Sequence, residues 1–340
     1  MGADRTLNVC LIGCGHMGRL HAGSLAGDKH LRHLTVCDAD PNVAQMLADN
    51  LASPSLEVVV APIETALRQK HFDAYVIASP AHLHLEQCAI AAESGAYVFC
   101  EKPVAPEYED ILEQLDRLSP YEDRIQVGFN RRFDPQMAAL KSGIERGAIG
   151  EIEQLHIVSR DHTPPTLEQL ETSAGLIAET AIHDFDMVRW LLGGEVRSIA
   201  CYGAALVNSD YAALGHIDTA TMVMIGENGQ QVVLQNSWRA ANGYDQRIEA
   251  FGPKGRLNVG NPLSDLVVFE DRGGARHGQI SDDWSTRYRQ AYSIEIASFL
   301  ECVARKGKTS PSLSDGIAAS KLAHFAQLSL QQGQAIQLQA

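Results

Sequence analysis

The sequence lacks long hydrophobic runs, an excess of positive charge and closely spaced cysteines. No apolar stretch reaches the ~18 residues of a membrane-spanning helix, and the N-terminal residues contain no hydrophobic core of a secretion signal. The 42 acidic residues outnumber the 28 basic ones, which gives a formal charge of -14. Such a charge repels the phosphates of nucleic acids and of anionic membranes. We therefore expect neither a nucleic acid nor a membrane as a partner.

The cysteines are few and isolated from one another along the chain. None forms a CxxC pair, so the zinc sites that use this spacing are not expected. Most lie inside apolar runs, as is typical of small core residues in a reducing compartment. The seven residues are Cys10, Cys14, Cys37, Cys88, Cys100, Cys201 and Cys302. With no secretion signal, this pattern predicts a cytoplasmic protein.

Hydrophobic runs alternate with helical patterns in the first part of the chain. The length of 340 residues exceeds the ~250–300 residues at which single cores stop growing, so two domains are expected. Apolar runs typical of buried strands lie at 7–12, 34–40, 56–60, 72–79, 96–100 and 124–128. Helical patterns follow residue 18 and lie near 64–70, 83–94 and 107–119. This alternation predicts an α/β fold for residues 1–125, with a doubly wound parallel sheet of the Rossmann type.

The pattern changes in the second part of the chain, which we assign to a domain of residues 126–340. Strand-like runs with a period near two follow one another at 151–159, 196–202, 219–225, 230–238, 247–252 and 266–270. Helical patterns lie near 135–146, 288–305 and 314–332. Runs of strands with few intervening helices favour an α+β domain with a largely antiparallel, open sheet.

The stretch "IGCGHMG" joins the first predicted strand to the first predicted helix. Its three glycines permit a tight turn, a close approach by a pyrophosphate and close helix packing, and the helix N-terminus offers free N–H groups to the phosphates. The loop residues assigned to cofactor binding are Gly13, Gly15, His16, Met17 and Gly18.

An acidic residue follows the second predicted strand, 20 residues after the last glycine of this loop. Asp38 stands where a Rossmann fold places the carboxylate that binds the adenosine ribose. Ala39 follows it, where an arginine would favour a 2′-phosphate, so the sequence predicts NAD rather than NADP. The alternative is that Asp38 only caps the turn before Pro41.

Two further strand ends are expected to lie beside the glycine loop, because ligands of such sheets bind at the carboxyl ends of the strands. One is "SPAHLH", with Ser79, Pro80 and His84. The other is "EKP", with Glu101 and Lys102. All five residues are assigned to cofactor binding, although Lys102 alone would also fit a solvated strand end. His82 and His84 have an HxH spacing, but they stand at the start of a predicted helix, and no metal is expected there.

One predicted helix, "AETAIHDFDMVRWLL", interrupts the strands of the second half. In a regular α-helix Glu179, His183 and Asp186 share one face, since they lie at i, i+4 and i+7. A carboxylate there orients the imidazole and raises its pKa towards the working pH of a general base. The alternative is a polar face that packs on the sheet or pairs with Arg189.

The chain resembles the glucose-fructose oxidoreductase, inositol dehydrogenase and MocA-like family over essentially its whole length. Five motifs stand in the family's order and spacing, and the two that come last in the chain are most similar to the inositol 2-dehydrogenase branch. They are "IGCGHMGRLHA", "ASPAHLHLEQCAIAAESGAYVFCEKPVA", "GFNRRFDP", "AETAIHDFDMVRWLLG" and "GYDQRIEAFGPKG".

The resemblance implies an NAD-dependent dehydrogenase that oxidises a secondary hydroxyl of a small polyol or sugar, closest to a cyclitol. It assigns Lys102 to the active-site lysine of the EKP motif and His183 to the proton acceptor. Glu179 is the third residue assigned to catalysis. Residues implied in substrate binding are Asp161, Asp186, Tyr244 and Arg131. A cis Lys102–Pro103 peptide and a homo-oligomer, a tetramer by the family habit, are also implied.

Three residues depart from the inositol dehydrogenase pattern. Glu179 replaces the usual Asp, Ala174 replaces a glycine, and Trp238 stands where an arginine is common. One alternative is therefore a dehydrogenase of a hexose, amino sugar or modified cyclitol. A separate alternative, from another class, is a non-catalytic NAD-binding sensor or scaffold.

Overall fold

The computed structural model describes residues 6–69 and 71–338. It divides into two compact units, Met1–Phe133 with Gln290–Ser320, and Asp134–Arg289 with Lys321–Ala340. The boundary expected between 125 and 126 thus differs from this division in two ways. The last strand of the first sheet extends to Val127, and residues 290–320 return to the first unit, where the Phe299 ring packs 5.7 Å from the Phe99 ring.

The first unit contains a six-stranded sheet in which every neighbouring pair is parallel. Its strands are β1 (Leu7–Ile12), β2 (Leu31–Cys37), β3 (Glu57–Val60), β4 (Ala74–Ile77), β5 (Tyr97–Cys100) and β6 (Ile125–Val127). They lie in the order β3-β2-β1-β4-β5-β6. This is the doubly wound order of a dinucleotide-binding Rossmann fold, which confirms the predicted fold class.

The second unit contains a seven-stranded sheet in the order β12-β11-β7-β10-β9-β8-β15. The β7–β10 pair is parallel and the other pairs are antiparallel, as predicted for a largely antiparallel sheet. Its strands are β7 (Gln154–Arg160), β8 (Val196–Ala204), β9 (Thr219–Gly226), β10 (Gln231–Ser237), β11 (Asp245–Gly252), β12 (Gly255–Val259) and β15 (Ile336–Gln337). A separate hairpin consists of β13 (Phe269–Asp271) and β14 (Gly274–Arg276).

The α-helices lie between these strands along the sequence. They are α1 (His16–Ala26), α2 (Pro41–Leu51), α3 (Ile63–Arg68), α4 (His84–Glu93), α5 (Tyr108–Leu118), α6 (Pro135–Glu145), α7 (Leu167–Leu170), α8 (Ile182–Leu192), α9 (Asp210–Ala213), α10 (Trp284–Arg287), α11 (Arg289–Arg305) and α12 (Leu313–Gln332). The helix predicted near 64–70 is α3, and Lys70 lies outside the described residues. No described helix has both the length and the hydrophobicity needed to cross a bilayer.

Local sequence explains where several of these helices begin and end. Asp40 precedes Pro41 and its side chain accepts the Asn42 N–H, so α2 starts with a carboxylate cap and a proline in its first turn. Asp134 does the same for α6 by accepting two backbone N–H groups. Gly193 ends α8 in a left-handed conformation with φ +69°, which glycine adopts at little cost.

One predicted strand is wrong over most of its length. The run 266–270 contains four consecutive apolar residues, yet the strand β13 includes only Phe269 and Glu270 of that run. Leu266 is 91% exposed and Val267 is 72% exposed. An apolar run forms a strand only where a partner strand and a buried face are available, and neither is given to these two residues.

Candidate active site

The glycine loop joins β1 to α1, and each of its glycines has a different surrounding. Gly13 has φ +94°, and a Cβ there would lie 2.5 Å from the Ala78 carbonyl oxygen. A Cβ on Gly18 would lie 1.9 Å from the Gly13 carbonyl oxygen. A Cβ on Gly15 would meet no described heavy atom within 4 Å. Gly13 and Gly18 therefore permit close backbone packing, whereas Gly15 leaves open space at the loop surface.

The N-terminus of α1 opens into this space. Gly15 is its N-cap residue, and no side chain caps the free N–H groups of the first turn. His16 is exposed and Met17 is partly exposed. Free N–H groups and the positive end of the helix dipole bind anions such as a pyrophosphate. The loop thus fits the phosphates of a dinucleotide.

Asp38 follows β2 and is oriented by the glycine loop. Its Oδ2 accepts the Cys14 N–H at 2.7 Å, and its Oδ1 accepts the Asp40 N–H at 2.9 Å. Each carboxylate oxygen retains a lone pair that can accept a ribose hydroxyl. The cap of α2 is Asp40, whereas Asp38 contacts both the turn before Pro41 and the glycine loop.

His84 connects the two other strand ends. It is 1% exposed, its Nδ1 lies 2.8 Å from the Pro103 carbonyl oxygen, and its Nε2 lies 2.8 Å from the Ser79 carbonyl oxygen. Burial lowers the pKa of its imidazole. The Ser79 hydroxyl donates to Gln87 Oε1 at 2.6 Å, while Pro80 is exposed. His84 therefore connects the loop at Ser79 with the loop at Pro103. The described residues contain no cluster of side chains that could hold a metal ion.

Glu101 is buried directly after β5, next to Lys102. Its Oε1 lies 2.6 Å from Nε2 of His21 on α1, and its Oε2 accepts the Lys102 backbone N–H at 3.1 Å. Lys102 itself is partly exposed. The Lys102–Pro103 peptide is cis, as predicted.

The sheet order brings the first set of candidate residues together. β1, β4 and β5 are direct neighbours and all parallel, so the segments after them lie at one edge of the sheet. This gathering was expected from the sequence. The open space at Gly15 and the free carboxylate lone pairs at Asp38 fit a dinucleotide whose adenosine ribose has a free 2′-hydroxyl.

The helix predicted around His183 is irregular in the structure. Residues Ile177–Ala181 form a π-helix, and only from Ile182 does the regular helix α8 begin. The regular α-helix predicted to contain Glu179 is therefore wrong at residues 177–181, because a π turn contains more residues than an α turn. His183 and Asp186 remain neighbours on α8 at i and i+3. π-helical turns occur frequently at functional sites.

The side chains on this helix differ in their surroundings. Glu179 is half-buried, and its Oε1 accepts the Ala174 N–H at 2.8 Å. His183 is half-buried, whereas Asp186 is fully buried. Arg189 pairs with Glu195 through an Nε–Oε2 hydrogen bond of 3.0 Å. Two residues that depart from the inositol dehydrogenase pattern, Ala174 and Glu179, thus contact each other.

Asp161 receives a chain of hydrogen bonds from two other residues of the second unit. The Trp238 indole N–H donates to the Thr180 hydroxyl at 3.1 Å, and this hydroxyl donates to Asp161 Oδ2 at 3.5 Å. The Asp161 N–H also donates to the Ser237 carbonyl oxygen at 2.8 Å. Asp161 lies directly after β7, so strand pairing and this chain together set its orientation.

The two remaining candidates are mostly buried. Tyr244 is 6% exposed, and its ring packs edge-on at 5.9 Å from the Tyr288 ring. Arg287 lies over the Tyr288 ring at 4.7 Å and donates to Asp134 at 2.6 Å. Arg131 is 3% exposed and belongs to the first unit.

Sequence reasoning missed two residues of these networks. His21 stands inside the first quoted motif, but nothing in its spacing links it to Glu101, 80 residues away. Thr180 follows Glu179 directly, and its neighbour Asp161 lies 19 residues earlier. Only the folded chain brings these pairs together.

Comparison with known proteins identifies both halves of the chain. Residues 7–129 match the model of the oxidoreductase family with an NAD-binding Rossmann fold, and residues 137–258 match the model of the GFO/IDH/MocA C-terminal domain. The chain belongs to the Gfo/Idh/MocA oxidoreductase family. This Gfo/Idh/MocA protein is an NAD-dependent oxidoreductase, as predicted, and its glycine loop and Asp38 fit that cofactor.

Several inositol dehydrogenases are similar to this Gfo/Idh/MocA chain over their whole length. An inositol 2-dehydrogenase of Rhizobium meliloti is 34% identical over 94% of this chain and 96% of its own. A myo-inositol dehydrogenase structure from Corynebacterium glutamicum has a TM-score of 0.92 at 31% identity, over 98% of this chain and 99% of its own. A Lactobacillus casei myo-inositol dehydrogenase in complex with NAD(H) and myo-inositol has a TM-score of 0.87 at 25% identity, over 98% of this chain and 97% of its own.

Proposed function

We propose that this protein oxidises a secondary hydroxyl of a cyclitol, myo-inositol or a close relative, to a ketone. The observation that supports this most is the similarity to inositol dehydrogenases over almost the entire chain. Both the unit with the glycine loop and the unit with His183 are included in that similarity. A non-catalytic sensor needs only the first of these units, so the presence of both favours an enzyme.

Lys102 and His183 are the residues we assign to the chemistry. The His183 imidazole accepts the proton of the substrate hydroxyl as a general base. The Lys102 ammonium stabilises the negative charge that develops on that oxygen. Bound NAD would supply the hydride acceptor for the carbon that bears this hydroxyl. Lys102 is partly exposed and His183 half-buried, so both retain access for a ligand.

The other polar side chains of the second unit are assigned to substrate binding. Asp161, Asp186 and Tyr244 supply acceptors and a donor for several hydroxyl groups, a set suited to a polyol. Asp186 is fully buried, so it is the member most restricted in its contacts. Arg131 and Glu179 complete the proposed set. Glu179 then has two roles, since it also accepts the Ala174 N–H.

A different polyol remains the second candidate for the substrate. The contact between Glu179 and Ala174 favours it, because both residues depart from the inositol dehydrogenase pattern. A longer carboxylate side chain that is held by the 174 backbone shifts the position of its oxygens, and small shifts change which hydroxyl is bound. A hexose, an amino sugar or a modified cyclitol would be such a substrate.

A substrate panel with NADH absorbance as the readout tests the proposal. We expect turnover with myo-inositol or one of its epimers, and slower turnover with glucose and glucosamine. Faster turnover with a hexose or amino sugar would transfer the assignment to the second candidate. Tight NAD binding without turnover on any polyol would contradict the enzymatic proposal.

Cofactor choice is proposed to favour NAD by at least about tenfold in kcat/KM, which corresponds to ~1.4 kcal/mol. Asp38 accepts ribose hydroxyls and repels a 2′-phosphate, and Ala39 provides no compensating charge. Steady-state kinetics with both cofactors measure this ratio. Equal kcat/KM values would show that Asp38 does not discriminate.

We also propose that the protein forms a homo-oligomer, a tetramer in the family habit, through the outward face of the second sheet. Tyr202 is 64%, Val223 40% and Phe251 41% exposed on three strands of that sheet. Exposed apolar groups of this kind mark association surfaces. Light scattering measures the mass in solution, and a monomer at micromolar concentration would contradict the proposal.

A cytoplasmic location is proposed from the state of the thiols. Cys10 and Cys37 lie with their Sγ atoms 3.8 Å apart and both are free thiols. Adjacent free thiols are typical of a reducing compartment. Cell fractionation tests this directly, and recovery of the protein outside the cytoplasm would contradict it.

A further inference from the structure

We propose that His21 and Glu101 are positioning residues that couple the glycine-loop helix to Lys102. The inference rests on the proposed function, in which Lys102 acts on the substrate. His21 belongs to α1, the helix that begins at the glycine loop, and Glu101 directly precedes Lys102. The pair connects the cofactor loop with the backbone of the proposed active-site lysine.

The geometry of Glu101 gives each of its oxygens a separate partner. The 2.6 Å distance between His21 Nε2 and Glu101 Oε1 is that of a hydrogen bond, and we assign the imidazole N–H as the donor because a carboxylate accepts. Oε2 accepts the Lys102 N–H at 3.1 Å, and the Glu101 N–H donates to the Ile77 carbonyl oxygen at 2.9 Å. The Lys102 backbone is thereby attached to α1 through one carboxylate.

The surroundings of the pair leave it little room to move. His21 is 0% exposed, and its ring packs edge-on against Phe99 at 5.0 Å and Tyr292 at 6.0 Å. A Cβ at Gly128 would lie 3.1 Å from Glu101 Oε1, so the glycine makes space for the carboxylate. A hydrogen bond in such a dry site is strong, and a carboxylate that loses its donor there is strongly destabilised.

The position of His21 on its helix explains the proposed coupling. His21 lies in the second turn of α1, and the first turn of that helix presents the N–H groups that fit the cofactor phosphates. A displacement of α1 moves His21, Glu101 and the Lys102 amide together, because each contact is direct. Cofactor binding at the glycine loop therefore orders Lys102. Without the His21 donor, the cofactor still binds but no longer orders Lys102.

A matched pair of variants tests the donor. In His21→Gln the amide reaches the position of Nε2, whereas in His21→Asn the shorter amide does not. We expect kcat to fall about 10- to 100-fold in His21→Asn, because the lysine is misplaced, and to be largely retained in His21→Gln. The dissociation constant for NAD stays near the wild-type value in both. Leu25→Val, a buried change one turn further along the same helix, is the control with unchanged kcat.

Hydrogen exchange provides a readout that needs no turnover. Between Cys100 and Pro103, the exchangeable backbone amides are those of Glu101 and Lys102, since proline has no N–H. The Lys102 amide is the one that donates to the Glu101 carboxylate. We expect its exchange in the NAD-free protein to accelerate about tenfold in His21→Asn but not in His21→Gln or Leu25→Val. Addition of NAD slows this exchange in the wild type and fails to do so in His21→Asn.

The outcomes separate this inference from the proposed function. If the wild type oxidises no polyol, the exchange measurements still decide whether His21 positions Lys102. If His21→Asn does not fold, Glu101→Gln replaces it, with an expected fall in kcat of at least about tenfold. Wild-type kcat and wild-type Lys102 exchange in a folded His21→Asn protein, or equal losses in Leu25→Val, would overturn the inference.

Discussion

The two units hold their candidate site residues by different means. In the first unit the cofactor set follows four neighbouring parallel strands, and backbone groups form most of its contacts, such as Cys14 N–H to Asp38. In the second unit Asp161 follows a strand, whereas Glu179, His183 and Asp186 lie on a helix with a π turn. Side-chain contacts such as Thr180 to Asp161 occur there beside backbone contacts. In the function proposed above, a regular topology suffices for a cofactor shared by many enzymes, whereas the irregular segment is assigned to the choice of substrate.

The largest expected effect tests whether each unit contributes one essential group. Lys102→Ala and His183→Ala should each lower kcat by about 10²–10⁴-fold, because one removes the charge and the other the proton acceptor. NAD binding, measured by fluorescence titration, should remain nearly intact in both. The double variant should be little worse than the worse single one, since the two residues act on one proton transfer.

Near-native turnover in His183→Ala would transfer the base assignment to Glu179 or Asp186. Glu179→Asp sharpens this test as a companion variant. If the longer side chain directs the protein away from myo-inositol, shortening it should raise kcat/KM for myo-inositol relative to the preferred substrate.

The second prediction compares substitutions of two glycines in one loop of the first unit, Gly18 and Gly15. Gly18→Ala places a methyl group 1.9 Å from the Gly13 carbonyl oxygen, so the folded state should be destabilised by about 1–3 kcal/mol or more. Gly15→Ala meets no described atom and should change stability by about 1 kcal/mol or less. It should nevertheless weaken NAD binding at least about tenfold, because its methyl group enters the space of the pyrophosphate.

Thermal unfolding and NAD titration of both variants measure these two effects. The expected separation is a stability loss confined to Gly18→Ala and an affinity loss without unfolding in Gly15→Ala. Equal stability of the two variants would contradict the different roles assigned to these glycines.

The third prediction breaks the side-chain network of the second unit. Thr180→Val removes the hydroxyl between Trp238 and Asp161 and should raise KM for the substrate by about tenfold, the effect of one lost hydrogen bond. Thr180→Ser should restore it, since the serine retains the hydroxyl. Thr221→Val, on the strand β9 outside this network, is the matched control. An unchanged KM in Thr180→Val would exclude Asp161 positioning by this route.

The smallest effect concerns the pH dependence of stability in the first unit. Burial lowers the pKa of His84 in the folded protein, so the unfolded chain binds more protons near pH 6. The free energy of unfolding should therefore rise with pH up to the unfolded value of ~6.5 and then level off. In His84→Gln this rise should be smaller. Urea unfolding from pH 5 to 8 measures the slopes, and equal slopes would exclude His84 as a contributor.

Regular elements were predictable because their sequence patterns are local. The six parallel strands, α6, α11 and α12 match predicted segments to within a few residues, since hydrophobic period and capping residues act over short distances. α2, β12 and the short helices α7, α9 and α10 were not identified. The π turn at Ile177–Ala181 was also missed, because no local pattern distinguishes it from an α-helical turn.

In the candidate site, too, local sequence patterns predict some residues but not the contacts between distant ones. Gly13, Gly18 and Asp38 follow from one spacing rule, so the sequence alone predicts a dinucleotide loop that prefers NAD. The contacts of Glu101 with His21 and of Asp161 with Thr180 depend on how distant segments pack.

The sequence by itself determined the alternation of strands and helices, the cofactor and the candidate residues, because each depends on neighbours along the chain. Only the tertiary structure decided which of those residues are held by the backbone and which by other side chains. It placed His84 between two carbonyl oxygens and gave the Glu101 carboxylate a buried imidazole donor. The physical reason is that a buried polar group needs a hydrogen-bonding partner close to it in the folded protein, and that partner can lie at any distance along the sequence.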